Sequence, residues 1–514
     1  MHDTVRTASE ASTAPDTVTA QQARAHNTAV IDIGSNSVRL VIYRVEGRSI
    51  WPVFNEKVLA GLGRDMRTTR RLHSDGVRES LIALRRFKAI LESYDLERTH
   101  AVATAAVREA SDGQAFVQRV MEETGFSVRV LSGAEEAHYS AQGVHCGHLD
   151  ARGVVGDLGG SSLELIHLEG EAGNNGITLS LGPFALGAPA PIETNRSYHT
   201  IMSQLEPLTA RFSGGQFHAV GGAWRNLALI WMQKQNYPLH VIQQFELPAR
   251  EAISVARLIA SQSPSSLEKV PGVTKRRLDN ISYAALVLQC LIESFRFDSL
   301  CFSAFGLREG LLFDSLPPDL KRDDPLIAGC AALGNRLGIN DNLGPALARW
   351  ALDFYAGAEG LFDRPPEKLI SAAAKLSDIG ARLHPDHRAD LASDQVLRAP
   401  IPGQSHQERV FLACTLYTRY SGDAYGREPV LISRILGDDM LQTATQLGLL
   451  LRLGCDLSAK SAKLLSLARL RQHDRHLTLT TEKGWEDLLL GEQTRRRARA
   501  LAQALKLNLI IVRD

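Results

Sequence analysis

The sequence contains no run of about 18 apolar residues, the length that a helix needs to cross a bilayer. Its six cysteines are scattered without paired spacing, so neither a disulfide framework nor a zinc site is indicated. The formal net charge is only +1, so the bulk charge gives no reason to expect a nucleic-acid partner. Together these absences predict a cytoplasmic protein that binds neither membrane nor nucleic acid.

The N-terminal segment 1–27 also lacks the apolar stretch of a secretory signal, and we expect it to be a disordered tail. The whole chain of 514 residues is too long for one hydrophobic core. Alternating strand and helix patterns predict two α/β domains, 28–150 and 151–316. Two consecutive prolines then mark a boundary, and the apolar spacing beyond it predicts a mostly helical region, 317–514.

An internal repeat stands out in the two α/β segments. Val30–Ile42 reads VIDIGSNSVRLVI and Val154–Ile166 reads VVGDLGGSSLELI, and the two align on Asp32 and Asp157 at a constant offset of 125 residues. Each copy consists of an apolar strand, a turn rich in Gly, Ser or Asn, and a second strand. The repeat therefore predicts two matched, tight β-hairpins.

Turns of this composition suit a bound phosphate, because glycine leaves backbone N–H groups accessible and Ser and Asn add further donors. One such hairpin alone would be an ordinary turn, whereas two matched copies favour a phosphate clamp. A strand that runs through two glycines into a helix provides a similar cradle at the helix N-terminus. The candidate phosphate-binding residues are Gly34, Ser35, Asn36, Ser37, Gly159, Gly160, Ser161, Ser162, Gly221 and Gly222.

Acidic residues near these turns are candidates for chemistry. Asp157 and Glu164 flank the second turn and suit Mg²⁺, with Mn²⁺ as an alternative, because a hard divalent cation prefers carboxylate oxygens. Ser132 and Glu135 have the spacing of a capping box, which assigns Glu135 a structural role. Glu136 then remains available as a catalytic group, although it could equally only complement the helix dipole.

Two arginine-rich runs, 64–71 and 495–499, are typical of solvated surfaces, and they could also line a groove for a long anion. The helical region contains a polar cluster that invites comparison with a metal site. Histidines in helical domains more often cap or pack than bind metal, so the packing interpretation is favoured. The cluster consists of Asp378, His384, His387 and His406.

Several motifs, in this order along the chain, resemble those of the exopolyphosphatase and guanosine pentaphosphate phosphatase family. The resemblance extends over residues 29–315 and continues into the helical region at LSDIGARLHPDHR (376–388) and SHQERVFLACTLYTRY (405–420). The motifs in the first part are DIGSNSVRLVI (32–42), ATAAVREA (103–110), LSGAEEA (131–137), GDLGGSSLEL (156–165) and SAFGLREG (303–310).

The resemblance implies two actin-like (ribonuclease H-like) phosphate-binding domains, followed by a mostly α-helical HD-like C-terminal domain. It also implies a Mg²⁺-dependent hydrolase acting on phosphoric anhydride bonds, which releases orthophosphate from the end of linear polyphosphate. In that family pattern Glu136 matches the general base, Arg108 a phosphate-binding arginine and Asn36 a phosphate contact of the first loop. A homodimer is a further family expectation.

Departures from the family pattern occur at three positions. Ser161 replaces a glycine of the second loop, and Leu163 replaces the usual threonine before the glutamate. In the helical region the family's His-Asp step is Ser377-Asp378, which argues against a separate metal-dependent activity there.

Three alternatives share the double hairpin. Guanosine pentaphosphate hydrolysis would use the same active site. A sugar or acetate kinase would need an adenosine pocket, which the bulky Trp224 after Gly221 and Gly222 argues against. A binding protein with an inactive site is disfavoured because every acidic position that the chemistry needs is occupied.

Overall fold

The computed structural model describes residues 25–168, 176–188, 190–262, 266, 275–337, 342–357 and 365–512. Almost all of the segment expected to be a disordered tail lies outside these residues, and the first strand already begins at His26. Two α/β units with mixed sheets come first, and a mostly helical unit comes after them. Among the described helices, none has both the length and the apolar character to cross a membrane.

The first unit is built on a five-stranded sheet with the order β3-β2-β1-β4-β5. Strands β1, β2 and β3 pair antiparallel, whereas β4 and β5 continue the sheet in parallel. The elements are β1 (His26–Ile33), β2 (Val38–Glu46), β3 (Ser49–Val58), β4 (Arg98–Ala103), β5 (Val128–Val130), α1 (Met66–Thr69), α2 (Ser74–Leu91), α3 (Ala105–Glu109), α4 (Gly113–Thr124) and α5 (Gly133–Gly147).

The second unit has a six-stranded sheet with the order β10-β11-β9-β6-β7-β8. Its elements are β6 (Val154–Leu158), β7 (Leu163–His167), β8 (Ile177–Leu179), β9 (Gln216–Val220), β10 (Phe245–Pro248), β11 (Ser299–Phe302), α6 (Pro183–Leu186), α7 (Thr194–Leu205), a 3₁₀ turn (Glu206–Leu208), α8 (Thr209–Phe212), α9 (Gly222–Lys234), α10 (Ala249–Ala260), α11 (Lys275–Phe295) and α12 (Leu307–Asp314).

The repeat seen in the sequence extends to the whole sheet. Strands β8-β7-β6-β9-β11 of the second sheet have the same order and the same parallel or antiparallel pairing as β3-β2-β1-β4-β5 of the first. Strand β1 is buried from Thr28 to Ile31 and half-buried at Asp32, and β6 is similarly covered on both faces. This burial explains why the first strand of each hairpin is a nearly continuous apolar run.

The C-terminal unit is mostly helical, as predicted, but it also contains a three-stranded sheet that the apolar spacing did not indicate. The strands are β12 (Ala468–His473), β13 (His476–Thr481) and β14 (Asn508–Ile511). The helices are α13 (Pro318–Arg322), α14 (Pro325–Arg336), α15 (Leu343–Ala356), α16 (Glu367–Leu376), α17 (Arg388–Arg398), α18 (His406–Ser421), α19 (Pro429–Leu431), α20 (Asp438–Leu457), α21 (Ala462–Leu465), α22 (Glu486–Leu489) and α23 (Glu492–Ala504), with single turns of 3₁₀ (Pro385–His387) and π (Ile432–Leu436) helix.

The apolar face of α20 lies inside the core of its own chain. Leu447, Leu450, Leu451 and Leu453 are each fully buried there. The structure therefore assigns this apolar face to the core. The homodimer therefore stays a prediction without support from this helix.

Helix α12 belongs to the second unit by sequence, but it packs on the first. Leu311, Leu312 and Phe313 join a core with Val30 and Tyr43 of the first sheet. The same helix crosses α5 so closely that a Cβ on Gly310 would lie 1.7 Å from the carbonyl oxygen of Tyr139. The two α/β units therefore meet through a helix pair with no room for a side chain at the crossing.

We predict that Gly310→Ala lowers the thermal midpoint of unfolding, because the added methyl group must push the two helix backbones apart. Overpacking of this kind costs about 1–3 kcal/mol, and each kcal/mol corresponds to about 2–4 °C in a domain of this size. Circular dichroism melting curves measure the shift. Gly426→Ala is the matched control, since a Cβ at Gly426 meets nothing within 4 Å; equal midpoints for both variants would contradict the packing argument.

Candidate active site

The two hairpin turns have the same backbone closure. The Gly34 N–H donates to the Ser37 carbonyl at 3.0 Å, and the Gly159 N–H donates to the Ser162 carbonyl at 2.9 Å. In the second hairpin, Asp157 and Glu164 are directly opposite one another across the strands. The two copies of the sequence repeat therefore form equivalent turns, as predicted.

The two turns also lie against each other. A Cβ on Gly160 would lie 3.1 Å from the Cβ of Ser35 and 3.2 Å from the backbone nitrogen of Asn36. A Cβ on Gly63, in the loop after β3, would lie 2.9 Å from the Ser161 hydroxyl oxygen. Absence of side chains at these glycines lets the two predicted phosphate loops meet at one end of the cleft between the domains.

Helix α5 starts with the predicted capping box, which is confirmed. The Ser132 hydroxyl accepts a hydrogen bond from the Glu135 N–H at 3.2 Å, and the Glu135 carboxylate accepts one from the Ser132 N–H at 2.8 Å. Glu136, one residue further, points into the protein and is only 5% exposed. Its carboxylate is ion-paired with the Arg108 guanidinium, which also donates to the Leu131 carbonyl.

Burial raises the pKa of Glu136 to about 7, because the charged form loses its hydration, although the Arg108 guanidinium opposes this shift. The same cause raises the pKa of Glu164 well above its ordinary range, and the nearby Glu136 and Asp157 carboxylates raise it further. Burial also raises the pKa of Asp157, whose carboxylate accepts a 2.5 Å hydrogen bond from the Ser140 hydroxyl. The candidate catalytic and metal-binding carboxylates thus share one buried, electrostatically coupled cluster.

This cluster fits a divalent cation. Glu164 Oε1 is buried and has no hydrogen-bond partner among the described residues. Asp157 and Glu164 would supply two carboxylates, and Mg²⁺ normally completes its shell with water and substrate oxygens. In the described part of the chain, no group of three or more His, Cys, Asp or Glu side chains has metal-binding geometry.

The Gly221–Gly222 step lies beside the same cluster. A Cβ on Gly221 would lie 2.6 Å from the Leu158 carbonyl oxygen and 3.3 Å from Asp157 Oδ1, and its φ of +113° also favours glycine. The space around Gly222 is open, and helix α9 begins there. These two residues therefore border the cleft, with the N-terminus of α9 facing it.

Trp224 has a different place from the one that the sequence suggested. Its side chain is fully buried, donates to the Ala284 carbonyl and packs edge-on against Phe217 in the core of the second domain. Because its side chain lies in the core, Trp224 gives no reason to exclude a kinase. The signal that could have shown this is the helical spacing of Trp224, Leu227, Ala228 and Trp231, which are all buried in α9.

Four cationic residues that the sequence did not single out lie in the cleft. Arg308 donates to Asp32 at 2.6 Å, which joins α12 to β1 across the domains. Asp32, Arg39 and Lys57 form one row across β1, β2 and β3, on the same face of the sheet. Arg225, at the start of α9, donates to the Gly221 and Ala304 carbonyls, and its charge acts on both Arg39 and Lys57.

The positive charges of this group repel one another, and this repulsion helps to lower the pKa values of Arg39 and Lys57. Burial lowers the pKa of Arg39 to about 10, and the charges of Arg308 and Arg225 lower it further. Lys57 lies at the rim of the cleft. Partial burial lowers its pKa to about 8, and the charges of Arg39, Arg225 and Arg308 add to this shift. By contrast, the arginine run 64–71, which includes the short helix α1, is mostly exposed, and Arg71 pairs with Asp112 at 3.2 Å.

The polar cluster of the helical unit does not form one site. His406 is buried and hydrogen-bonded to the Tyr237 hydroxyl at 2.8 Å. His384 and His387 lie on an exposed turn, and Asp378 pairs with Lys460 at 2.6 Å. The structure gives each of these residues a separate environment.

Comparisons with known proteins identify the family. The model of the Ppx/GppA phosphatase family matches residues 40–319, and the model of the C-terminal region of exopolyphosphatase matches residues 347–510. The chain belongs to the Ppx/GppA phosphatase family. It is therefore a hydrolase, and the predicted family resemblance is confirmed.

Two curated relatives of this Ppx/GppA member are each 24% identical to it. A guanosine-5'-triphosphate,3'-diphosphate pyrophosphatase from Vibrio cholerae is 24% identical over 478 residues, covering 89% of this chain and 92% of the relative. Retrograde regulation protein 2 from Saccharomyces cerevisiae is 24% identical over 437 residues, covering 77% of this chain and 72% of the relative. A solved exopolyphosphatase from Cytophaga hutchinsonii has a TM-score of 0.51 at 21% identity, covering 56% of this chain and 97% of that one, and it shows the shared fold.

We predict that the carboxylate cluster makes stability pH-dependent when divalent cations are absent. A carboxyl group with a raised pKa in the folded chain stabilises it fully below the ordinary pKa, and this stabilisation is lost as pH rises through the folded value. In EDTA the melting temperature should therefore decrease as the pH is raised from about 5 to about 8. Glu164→Gln should reduce this fall and also the gain in midpoint when Mg²⁺ is added.

Melting curves across this pH range measure both effects. Glu92→Gln is the control, because Glu92 is exposed on the surface after α2. An identical pH response of the Glu164→Gln chain and the unmodified chain would show that the buried cluster does not control stability.

Proposed function

We propose that the protein is an exopolyphosphatase, which hydrolyses the terminal phosphoanhydride bond of linear inorganic polyphosphate. The observation that supports this most strongly is the buried Glu136–Arg108 pair beside two facing phosphate loops. The row of cations on the first sheet adds to it, because a row of like charges suits a ligand that repeats one anionic group.

In this proposal the terminal phosphate binds between the loops, with backbone N–H groups and Arg108 neutralising its oxygens. Glu136 orients a water molecule and accepts its proton as the water oxygen bonds to phosphorus. The bond from phosphorus to the bridging oxygen breaks, and the shortened polyphosphate leaves with the electron pair on that oxygen. When bound at Asp157 and Glu164, Mg²⁺ would supply further neutralisation of phosphate charge.

The ion pair with Arg108 explains why Glu136 would become an active base only when substrate is bound. Arg108 neutralises the Glu136 carboxylate in the ligand-free chain. A phosphate competes for the same guanidinium, which weakens the stabilisation of the ionised carboxylate and makes it a stronger proton acceptor. A pKa of about 7 is already close to the best value for proton transfer near neutral pH.

The alternative is hydrolysis of guanosine pentaphosphate at the same site. The name of the Vibrio cholerae relative favours it, whereas the exopolyphosphatase C-terminal match favours the polymer. Both substrates present a terminal phosphoanhydride to the same carboxylate. They differ in the group attached to the terminal phosphate, so a direct comparison of the two substrates is needed.

We predict that Glu136→Gln lowers phosphate release by about 10²–10⁴-fold, because the amide cannot accept the proton from water. Phosphate release from long-chain polyphosphate and, in parallel, from guanosine pentaphosphate is measured with Mg²⁺ present. Binding of polyphosphate should survive in the variant, since the loops are unchanged. Glu135→Gln is the matched control, because glutamine keeps the capping box intact.

Faster, Glu136-dependent release from the polymer supports the exopolyphosphatase. Preference for the nucleotide supports the alternative, and near-normal release by Glu136→Gln would remove this residue from the mechanism. Absence of release from both substrates would overturn the proposed hydrolysis of either substrate.

We predict that Lys57→Met raises the KM for long-chain polyphosphate by about two- to fivefold at low salt, since one partly solvated charge contributes up to about 1 kcal/mol. The value of kcat should stay the same, because Lys57 lies at the rim of the cleft. Added salt should narrow the difference from the unmodified chain. Lys88→Met, on the exposed face of α2, is the control; a KM that does not change in Lys57→Met would exclude the row as a substrate contact.

The homodimer and the cytoplasmic location stay predictions. All six cysteines are free and buried, which agrees with a reducing compartment. Sedimentation of the purified chain would test the dimer.

A further inference from the structure

A second strongly basic cavity lies in the helical C-terminal unit, in a different domain from the predicted active site. It has a volume of about 420 Å³ and opens to solvent between α18, α20 and α23. This volume is within the range of small-molecule sites. The charged and polar side chains that line it include Arg388, Arg419, Tyr420, Arg452, Asp456, Lys460 and Arg497.

The basic groups outnumber the acidic ones. Arg497 donates to Asp456 at 2.9 Å, and Lys460 pairs with Asp378 at 2.6 Å, so both carboxylates near the cavity are already engaged. Three further arginines make their contacts with carbonyl oxygens or with the Tyr420 ring: Arg388, Arg419 and Arg452. Five cationic side chains against two carboxylates leave an excess of positive charge, which is costly unless an anion binds there.

The guanidinium groups also have unused donors. In the part of the chain that the structure describes, the Nε atoms of Arg388, Arg419 and Arg452 are buried without a hydrogen-bond partner. Arg419 is only 6% exposed and stacks over the Tyr420 ring at 4.6 Å, which fixes its plane against one wall of the cavity. Burial and the nearby Arg497 lower the pKa of Arg452 to about 10, as expected for crowded like charges.

The loop after α20 holds Lys460 in place. Ala459 and Lys460 both have positive φ, +45° and +64°, a left-handed conformation that is unfavourable for residues with a Cβ. Two successive residues of this kind turn the chain so that Lys460 reaches Asp378. Tyr420 is fixed from the same side, because its hydroxyl donates to the Ser377 carbonyl and accepts from the Gly380 N–H.

We propose that this cavity binds an anion with a diphosphate group. Planar guanidinium groups match the geometry of phosphate oxygens, and several of them around one cavity can contact two adjacent phosphates. Inorganic diphosphate and the diphosphate of a nucleotide share this chemistry. Binding here is independent of the hydrolytic site, and it stands or falls separately from the proposed function.

Calorimetric titration of the full chain with methylenediphosphonate, which is not hydrolysed at its P–C–P linkage, tests the site. Arg108→Met serves as the background, because it weakens binding at the hydrolytic site. We expect this background to bind the probe, and Arg419→Met added to it to weaken binding about tenfold or more, as for loss of a charged hydrogen bond. Arg471→Met, on the exposed side of β12, is the matched control.

Arg388→Gln provides a second variant, because Arg388 is partly exposed and its loss is less costly to folding than that of buried Arg419. Melting curves of every variant identify any that is not folded. If the Arg419→Met chain is not folded, binding of the probe by the Arg388→Gln chain decides the outcome. Failure of the Arg108→Met chain to bind, or equal binding by the Arg419→Met, Arg388→Gln and Arg471→Met chains, would overturn the proposal. Tighter binding of α,β-methylene adenosine diphosphate than of the inorganic probe would identify a nucleotide as the ligand.

Discussion

Opposite charges buried in the cleft between the two α/β domains determine how this protein is put together. The Arg308–Asp32 pair joins α12, which follows the second sheet in the sequence, to β1 of the first sheet, with each side chain less than one-fifth exposed. Removing one partner of a buried pair typically costs about 3–5 kcal/mol, because the other charge is left uncompensated. Asp32 therefore depends on Arg308, and the attachment of α12 to β1 depends on this pair together with the apolar core around Leu311.

Duplication of the sheet has been accompanied by a difference in charge. Arg39 of β2 occupies the position that Glu164 occupies in β7, opposite Asp32 and Asp157 respectively. The first hairpin consequently presents a carboxylate beside a guanidinium, while the second presents two carboxylates. In the proposed function, one half of the cleft would take the anionic substrate and the other the cation, even though both are built on the same strand order.

Local signals in the sequence predicted much of this arrangement. The hairpin turns arise from short runs of Gly, Ser and Asn, and the capping box separates Glu135 from Glu136 by their position on one helix turn. Arg225, Lys57 and Arg308 could not be found in this way, because they lie on three separate elements that only tertiary packing brings together. The SAFGLREG motif contained Arg308, but its contact with Asp32 spans 276 positions in the chain.

The small sheet β12–β14 was missed for a related reason. Its strands are six residues or fewer, and β14 pairs with β13 only after two intervening helices. Trp224 shows the opposite error, in which a residue next to a functional turn was assigned to the site although its side chain completes the core. A residue that is close in sequence to a functional turn therefore need not place its side chain in the site between the domains.

The close crossing of α5 and α12 has a consequence for how the two domains can move. Glycines at the contact, Gly143 and Gly310, bring the helix backbones together, and sliding of one helix along the other would drive neighbouring side chains into the opposing backbone. Shear between the domains is therefore blocked, whereas rotation about the crossing point keeps the contact intact. Opening and closing of the cleft would thus be a hinge motion with its axis at this helix pair.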